Sequence, residues 1–160
     1  MERIGFFTTD MGEACDALVE QVWGKRGNEG LEISPAPINQ GIGPGIRRAS
    51  ASTRIDLPTR WRALIRKPAK RKGGPVVALL APRNVDPGPT ASTLTSAGVM
   101  GAEVETTADA VECTFRPDAE PAALIEFAIA SLRAIGGLGI ATDRPMEWMW
   151  AVRGKGLVPR

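Results

Sequence analysis

The chemistry that this sequence offers most plainly is the binding of anions by a concentrated run of arginine and lysine side chains. The segment from 47 to 72 holds ten basic residues against the single acidic Asp56, a net charge of +9. Because the whole chain has a net charge of +2, the remaining residues together carry −7. Such a run binds phosphates or docks on an acidic protein surface, in either case with an affinity that falls as salt rises. The ten cations are Arg47, Arg48, Arg54, Arg60, Arg62, Arg66, Lys67, Lys70, Arg71 and Lys72.

Two alternatives explain the basic segment without a ligand: a solvated strand face with a basic turn, or pairing with the acidic remainder of the chain. Trp61 lies inside the segment and offers an aromatic face on which a base could stack. Alternation along residues 60–66 puts Trp61 on the side opposite to Arg60, Arg62 and Arg66, so a core position is the better interpretation.

A glycine-rich stretch precedes the basic segment, with the sequence Gly-Ile-Gly-Pro-Gly at 41–45. Backbone amides in such a stretch can form an anion site, and Arg47 and Arg48 follow it. Its spacing matches neither a dinucleotide-binding fingerprint nor a phosphate-binding P-loop, and Pro44 lacks an amide donor. We therefore interpret it as a flexible loop.

Catalytic and metal chemistry is restricted because the sequence contains no histidine. Serine and cysteine nucleophiles activated by histidine and histidine-based zinc sites are thereby excluded. Two cysteines, Cys15 and Cys113, are too few for an all-cysteine zinc site, and we expect both to be free thiols in the core. The carboxylates Glu103, Glu105, Asp109 and Glu112 could attract a divalent cation, although a solvated strand face is the common explanation. We predict no catalytic residue, no cofactor and no metal.

Tryptophan and methionine are concentrated in a second candidate contact region near the end of the chain. Trp148 and Trp150 alternate with Met149 there, and Met146 precedes them. Core packing explains these side chains, but Trp and Met are also enriched at the centres of interfaces, and a terminal strand can lie at a sheet edge.

Two amphipathic helices are expected to help position these groups. The first begins after a predicted capping box, Asp10 to Glu13, and its apolar residues recur with a spacing of three and four. The second begins near Pro117 to Pro121 with Asp118 as the predicted cap. Residues 90–101 are ambiguous between an imperfect helix and irregular structure. The apolar residues of the first helix are Met11, Ala14, Cys15, Leu18, Val19, Val22 and Trp23, and those of the second are Leu124, Ile125, Ala128, Ile129, Leu132 and Ile135.

Strands are expected to outnumber helices. Residues 60–66 alternate basic with apolar side chains, residues 75–81 form a continuous apolar run, and residues 102–107 and 110–116 have the spacing of a hairpin. Further predicted strands cover residues 3–9, 31–34, 138–142 and 146–152. The sequence thus predicts an α+β fold with two helices, or three if residues 90–101 are helical, packed on a mostly antiparallel or mixed sheet.

Residues 1–156 are expected to form a single domain with an irregular loop at 35–52. The residues Leu157, Val158, Pro159 and Arg160 have the sequence of a thrombin-cleavable linker remnant. No stretch is apolar enough to span a bilayer, so we expect a cytoplasmic protein without membrane partners. The excess of arginine over lysine points to a GC-rich, bacterial source.

Our leading hypothesis for function is a non-catalytic binding protein that engages a protein partner or a second copy of itself, as a regulatory or toxin-neutralising module would. The first alternative is nucleic-acid binding through 47–72, and the second is a histidine-free enzyme that uses a carboxylate or Cys113 near the arginines on an anionic substrate. The predicted contact residues are Arg60, Arg62, Arg66, Lys67, Lys70, Arg71, Lys72, Trp148 and Trp150.

Overall fold

A computed structural model describes residues 3–36, 61–67, 73–98, 103–136 and 146–154. In this part of the chain three α-helices pack against a seven-stranded antiparallel sheet, which confirms the predicted α+β fold. The helices are α1 (Met11–Ala17), α2 (Gly88–Ser96) and α3 (Pro121–Ile135). The strands are β1 (Ile4–Phe7), β2 (Asn28–Pro35), β3 (Arg62–Arg66), β4 (Val76–Leu80), β5 (Glu103–Thr106), β6 (Ala110–Thr114) and β7 (Glu147–Gly154).

The strand order is β1-β7-β2-β3-β4-β6-β5, and every neighbouring pair is antiparallel. The C-terminal strand β7 therefore lies inside the sheet, between β1 and β2. The expectation that it could form an edge is wrong because the N-terminal strand pairs with it on its outer side, with Ile4 opposite Trp150 and Phe6 opposite Trp148.

Helix α3 connects the two halves of the sheet. It follows β6 and precedes β7, which lie four strand spacings apart, or about 19 Å. A helix of 15 residues is about 22 Å long, so α3 can cross that distance over the centre of the sheet. It contacts β2, β3 and β4 below it and α1 and α2 on its sides.

Alternate residues of the strands face the helices and form one apolar core. The predicted inward positions in β3 and β6 are confirmed, since Ala63, Ile65, Val111 and Cys113 have no exposed surface. Helices α1 and α3 contribute Ala14, Leu18, Leu124 and other apolar side chains to the same core. The core residues from the strands, together with Trp61 just before β3, are Phe6, Leu31, Ile33, Trp61, Ala63, Ile65, Val77, Leu79, Val111, Cys113, Trp148 and Trp150.

The first helix departs from its prediction in two ways. Asp10 makes no side-chain capping bond, and a 3₁₀ turn at Thr8–Asp10 leads into α1 instead. The helix then continues as a π-helical segment at Leu18–Trp23, whose wider turn rotates later residues away from the regular stripe. Leu18 and Val22 are buried as predicted, but Val19 and Trp23 are exposed.

Helices α2 and α3 differ from the sequence prediction in where they begin and in how they are capped. Residues 90–96 of the ambiguous stretch belong to α2 (Gly88–Ser96), which has Pro89 in its first turn, where a missing amide hydrogen costs nothing, and residues 99–101 lie outside the described residues. Glu120, and not Asp118, occupies the position before α3, and no side chain caps that helix. Asp118 instead lies 3.6 Å from Arg116 in an exposed ion pair.

Several predictions fall outside the described residues, namely the strand at 138–142, most of the loop at 35–52 and the linker remnant at 157–160. In the described ranges no helix has the length and hydropathy needed to cross a membrane.

Candidate binding surface

The face of the sheet opposite the helices, called here the outer face, carries most of the charged strand residues. Helix contacts and strand alternation together assign the regularly paired strand residues to one face or the other. The described helices all pack on the core side. The charged residues of the outer face are Arg3, Glu32, Arg62, Arg66, Glu103, Glu105, Glu112, Glu147 and Arg153.

Three arginines from three different parts of the sheet converge on one carboxylate, Glu32 of β2. Arg62 donates a hydrogen bond from Nη1 to Glu32 Oε1 at 3.2 Å. Arg153 Nε lies 2.8 Å from Glu32 Oε2 and forms an ion pair with it, but the N–H group is not directed at the oxygen well enough to make a hydrogen bond. Arg3 Nη2 lies 3.8 Å from Oε1. These four residues are called the Glu32 cluster.

The register of the strands explains why these side chains meet. Glu32 lies opposite Ala151 of β7 and Leu64 of β3, so Arg153 and Arg62 are its diagonal neighbours. Diagonal neighbours in a sheet are about 7–8 Å apart at the backbone, within reach of an arginine. Arg153 lies opposite Gly30, and the absent side chain there leaves room beside the cluster. Gly30 is also required sterically, since a Cβ atom would lie 2.2 Å from the carbonyl oxygen of Ile65.

Burial divides the cluster into an inner anion and outer cations. The side chain of Glu32 is 2% exposed, whereas those of Arg3, Arg62 and Arg153 are 46%, 35% and 34% exposed. A buried carboxylate is costly unless cations and hydrogen bonds compensate it, and here three guanidinium groups and one hydrogen bond, to Oε1, provide that compensation. Three guanidinium groups against one carboxylate leave a net charge of +2. The side of the cluster that faces solvent is therefore cationic, and the buried Glu32 fixes the positions of its guanidinium groups.

A second ion pair lies farther along the same face. Arg66 of β3 extends across β4 and donates a hydrogen bond from Nη2 to Glu112 Oε1 of β6. Its Nε atom is buried without a hydrogen-bond partner among the described residues. The pair is electrically neutral and links the arginine-rich strands to the acidic hairpin of β5 and β6.

The predicted basic residues are partly brought together. Arg62 and Arg66 lie on the outer face, while Lys67 points to the helix side and donates a hydrogen bond to the carbonyl oxygen of Lys25 at 2.8 Å. Arg60, Lys70, Arg71 and Lys72 lie outside the described residues.

The predicted tryptophan contacts are in the core. Trp148 is completely buried and Trp150 is 8% exposed, because both alternate toward the helices. In this fold the two indoles stabilise the packing of β7 and present almost no surface to a partner.

Sequence reasoning missed three members of the cluster: Arg3, Glu32 and Arg153. Glu32 lies within the predicted strand at 31–34, the central part of β2, and its local sequence carries no signal of a charged cluster. The alternation Gly30, Glu32, Ser34 against Leu31 and Ile33 placed it on one face, but long-range pairing with β7 and β3 is needed to bring arginines beside it.

The cysteines do not join the arginines. Cys113 faces the core on the side of β6 opposite to Glu112, and burial raises the pKa of its thiol from 9.0 to about 11. The pKa of Cys15 is raised by burial and by the nearby carboxylates of Asp16 and Glu126. Both cysteines are free thiols. Since the thiolate is the nucleophile, neither environment activates sulfur at neutral pH.

The acidic residues of the hairpin lie at the far edge of the outer face. Glu105 of β5 is directly opposite Glu112 of β6, and Glu103 and Glu105 are exposed. In the described ranges no group of three acidic or cysteine residues has the geometry to hold a metal ion.

No family model matches this chain, and neither a curated protein sequence nor a solved structure matches it significantly.

Proposed function

We propose that this chain is a non-catalytic binding protein that engages an acidic protein surface through the Glu32 cluster. The observation that carries the proposal is the convergence of half-exposed Arg3, Arg62 and Arg153 on the buried Glu32. Arginine is enriched in protein interfaces because its planar guanidinium donates several hydrogen bonds at once and is weakly hydrated. Binding to guanidinium groups that are already held in position costs less conformational entropy.

The mixed charge of the outer face supports a protein partner over a nucleic acid. A phosphate backbone carries closely spaced negative charges and favours an uninterrupted row of cations. On this face Glu32, Glu112 and Glu147 lie among the arginines, and Arg66 is already paired with Glu112. An acidic protein surface can place single carboxylates over the cluster and leave other positions neutral or basic.

The chemistry of the described residues gives little support to an enzyme. The hypothesis of a cysteine acting beside the arginines needs both groups at one site, whereas Cys113 and the arginines lie on opposite faces of the sheet. The two free thiols support a reducing compartment, and we place the binding function in the cytoplasm on that basis.

A labelled twelve-residue polyglutamate peptide tests the proposal, with fluorescence anisotropy as the readout. We expect binding at about 50 mM salt that weakens at least about 10-fold at about 300 mM, because screening grows with ionic strength. The double variant Arg3→Gln, Arg153→Gln should lose about 10-fold in affinity at low salt, and circular dichroism checks its fold.

The matched control is Arg83→Gln, Arg116→Gln, which removes the same charge from two exposed arginines outside the cluster. An equal loss of affinity in the control variant, or no peptide binding at low salt, would contradict the proposal. A labelled oligonucleotide that binds more tightly than the peptide would put nucleic acid in the place of the acidic protein.

A further inference from the structure

Charge is distributed unevenly across the outer face, and its two ends have opposite signs. Among the described residues that alternation assigns to the outer face, those of β7, β2 and β3 together with Arg3, which precedes β1, are four arginines and two glutamates, a net charge of +2, and form the positive end. Glu29 of β2 lies at a bulge in the pairing with β7 and is left out of this sum. Strands β6 and β5 carry three glutamates, a net charge of −3, and form the negative end. The residues of the positive end are Arg3, Arg62, Arg66, Arg153, Glu32 and Glu147, and those of the negative end are Glu103, Glu105 and Glu112.

The separation of the two ends follows from the strand order. Four strand spacings lie between β2, which holds Glu32, and the edge strand β5, a distance of about 19 Å. Arg66 and Glu112 neutralise each other between them. Among the described residues, the charges that remain for a partner are therefore the partly exposed arginines of the Glu32 cluster with Glu147 beside them at one end, and the exposed Glu103 and Glu105 at the other.

A surface with opposite charges at its two ends is complementary to itself. A two-fold axis parallel to the strands, placed between two facing sheets, brings the positive end of each copy over the negative end of the other. The same contact then occurs twice, as in isologous dimers, the most common oligomers of soluble proteins. A two-fold axis perpendicular to the strands, in contrast, would place each end over the same end of the other copy and bring like charges together.

We propose that the acidic protein surface that fits the Glu32 cluster is the β5 end of a second copy of this chain, an inference that rests on the proposed function. Glu103 and Glu105 of one copy face Arg3, Arg62 and Arg153 of the other. Because the contacts are charged and partly exposed, the dimer forms at low salt and dissociates at high salt.

Sedimentation velocity from about 1 to about 200 µM measures the dimer at low salt. We expect Glu103→Lys, Glu105→Lys to remain monomeric, because both contacts become repulsive. The control is Glu13→Lys, Glu20→Lys, which makes the same charge change at two exposed positions on the helix side and should dimerise like the wild type.

Charge reversal of the other end makes the test specific. Arg3→Glu, Arg153→Glu should also be monomeric, and an equimolar mixture of the two reversed variants should form a heterodimer, because both of its contacts again pair opposite charges. Should the arginine variant fail to fold by circular dichroism, the lysine variant and its control decide the question alone.

A wild type that stays monomeric over the whole range would overturn the dimer, as would a lysine variant that dimerises like the wild type or a mixture of folded reversed variants that stays monomeric. A monomeric wild type that still binds polyglutamate would leave the proposed function standing. Loss of both dimer and peptide binding would remove both proposals.

Discussion

At the scale of single residues, the outer face depends on Glu32. Its carboxylate is buried, and its charge is compensated by Arg62 and Arg153 at close range and by Arg3 at 3.8 Å. Without it, three guanidinium groups would lie together with no anion between them. The glutamate therefore both neutralises the arginines and fixes where they lie.

Substituting Glu32 by alanine tests that role. We expect Glu32→Ala to lower the free energy of unfolding by about 2 kcal/mol, less than for a fully buried pair because the arginines are partly hydrated. Urea denaturation measures the change. Glu105→Ala, an exposed position on the same face, should stay within about 0.5 kcal/mol of the wild type. Equal stabilities of the two variants would show that the cluster contributes nothing to the fold.

The buried thiol of Cys113 gives a prediction about pH. Its pKa is about 11 in the folded protein against a usual value of 9.0, so between these values the unfolded chain releases a proton that the folded protein retains. The free energy of unfolding is therefore unaffected by this group below about pH 9 and decreases as pH rises toward 11. Between about pH 8 and about pH 10.5, the free energy of unfolding measured in urea should decrease less for Cys113→Ala than for the wild type. An identical decrease in both proteins would contradict the assignment.

At the scale of elements, local patterns predicted the regular parts of the chain well. Period-two alternation identified β3 and the hairpin of β5 and β6, and three-four spacing identified α3 with its buried face. The exposed Val19 and Trp23 could not be predicted, because a π-helical segment changes the number of residues per turn and leaves no clear signal in composition. The predicted caps Asp10 and Asp118 fit the sequence preferences, but the chain enters both helices by other turns.

Two consecutive glycines before β4 provide a matched test of backbone packing. A Cβ atom on the buried Gly74 would lie 1.6 Å from the carbonyl oxygen of Phe115, whereas one on Gly73 would meet nothing within 4 Å. The adjacent amide of Phe115 donates a hydrogen bond to the carbonyl oxygen of Pro75 at 2.9 Å, so the backbone cannot yield without losing it.

We expect Gly74→Ala to cost about 3 kcal/mol and Gly73→Ala to change stability by less than about 0.5 kcal/mol, as measured by thermal or urea unfolding. Comparable stabilities of the two variants would contradict the close contact between the backbones of Gly74 and Phe115.

At the scale of the whole molecule, the sequence predicted a charge asymmetry but not its arrangement. The basic segment contributes Arg62 and Arg66 to the outer face, while Glu32, Glu112 and Arg153 come from distant parts of the chain. Composition alone could not indicate that Arg62 and Arg66 of the basic segment form ion pairs with Glu32 and Glu112, because strand order decides which residues become neighbours. The outer face is consequently a surface of mixed charge and not a uniform basic patch.

The central claim is that the Glu32 cluster is the contact surface for acidic partners. Backbone amide NMR during a titration with the twelve-residue polyglutamate peptide tests it directly. We expect the largest shift changes in β2, β3 and β7 around Glu32, Arg62 and Arg153, and little change at exposed positions of α1 and α2. Shift changes concentrated on the helices, with none around Glu32, would contradict the claim.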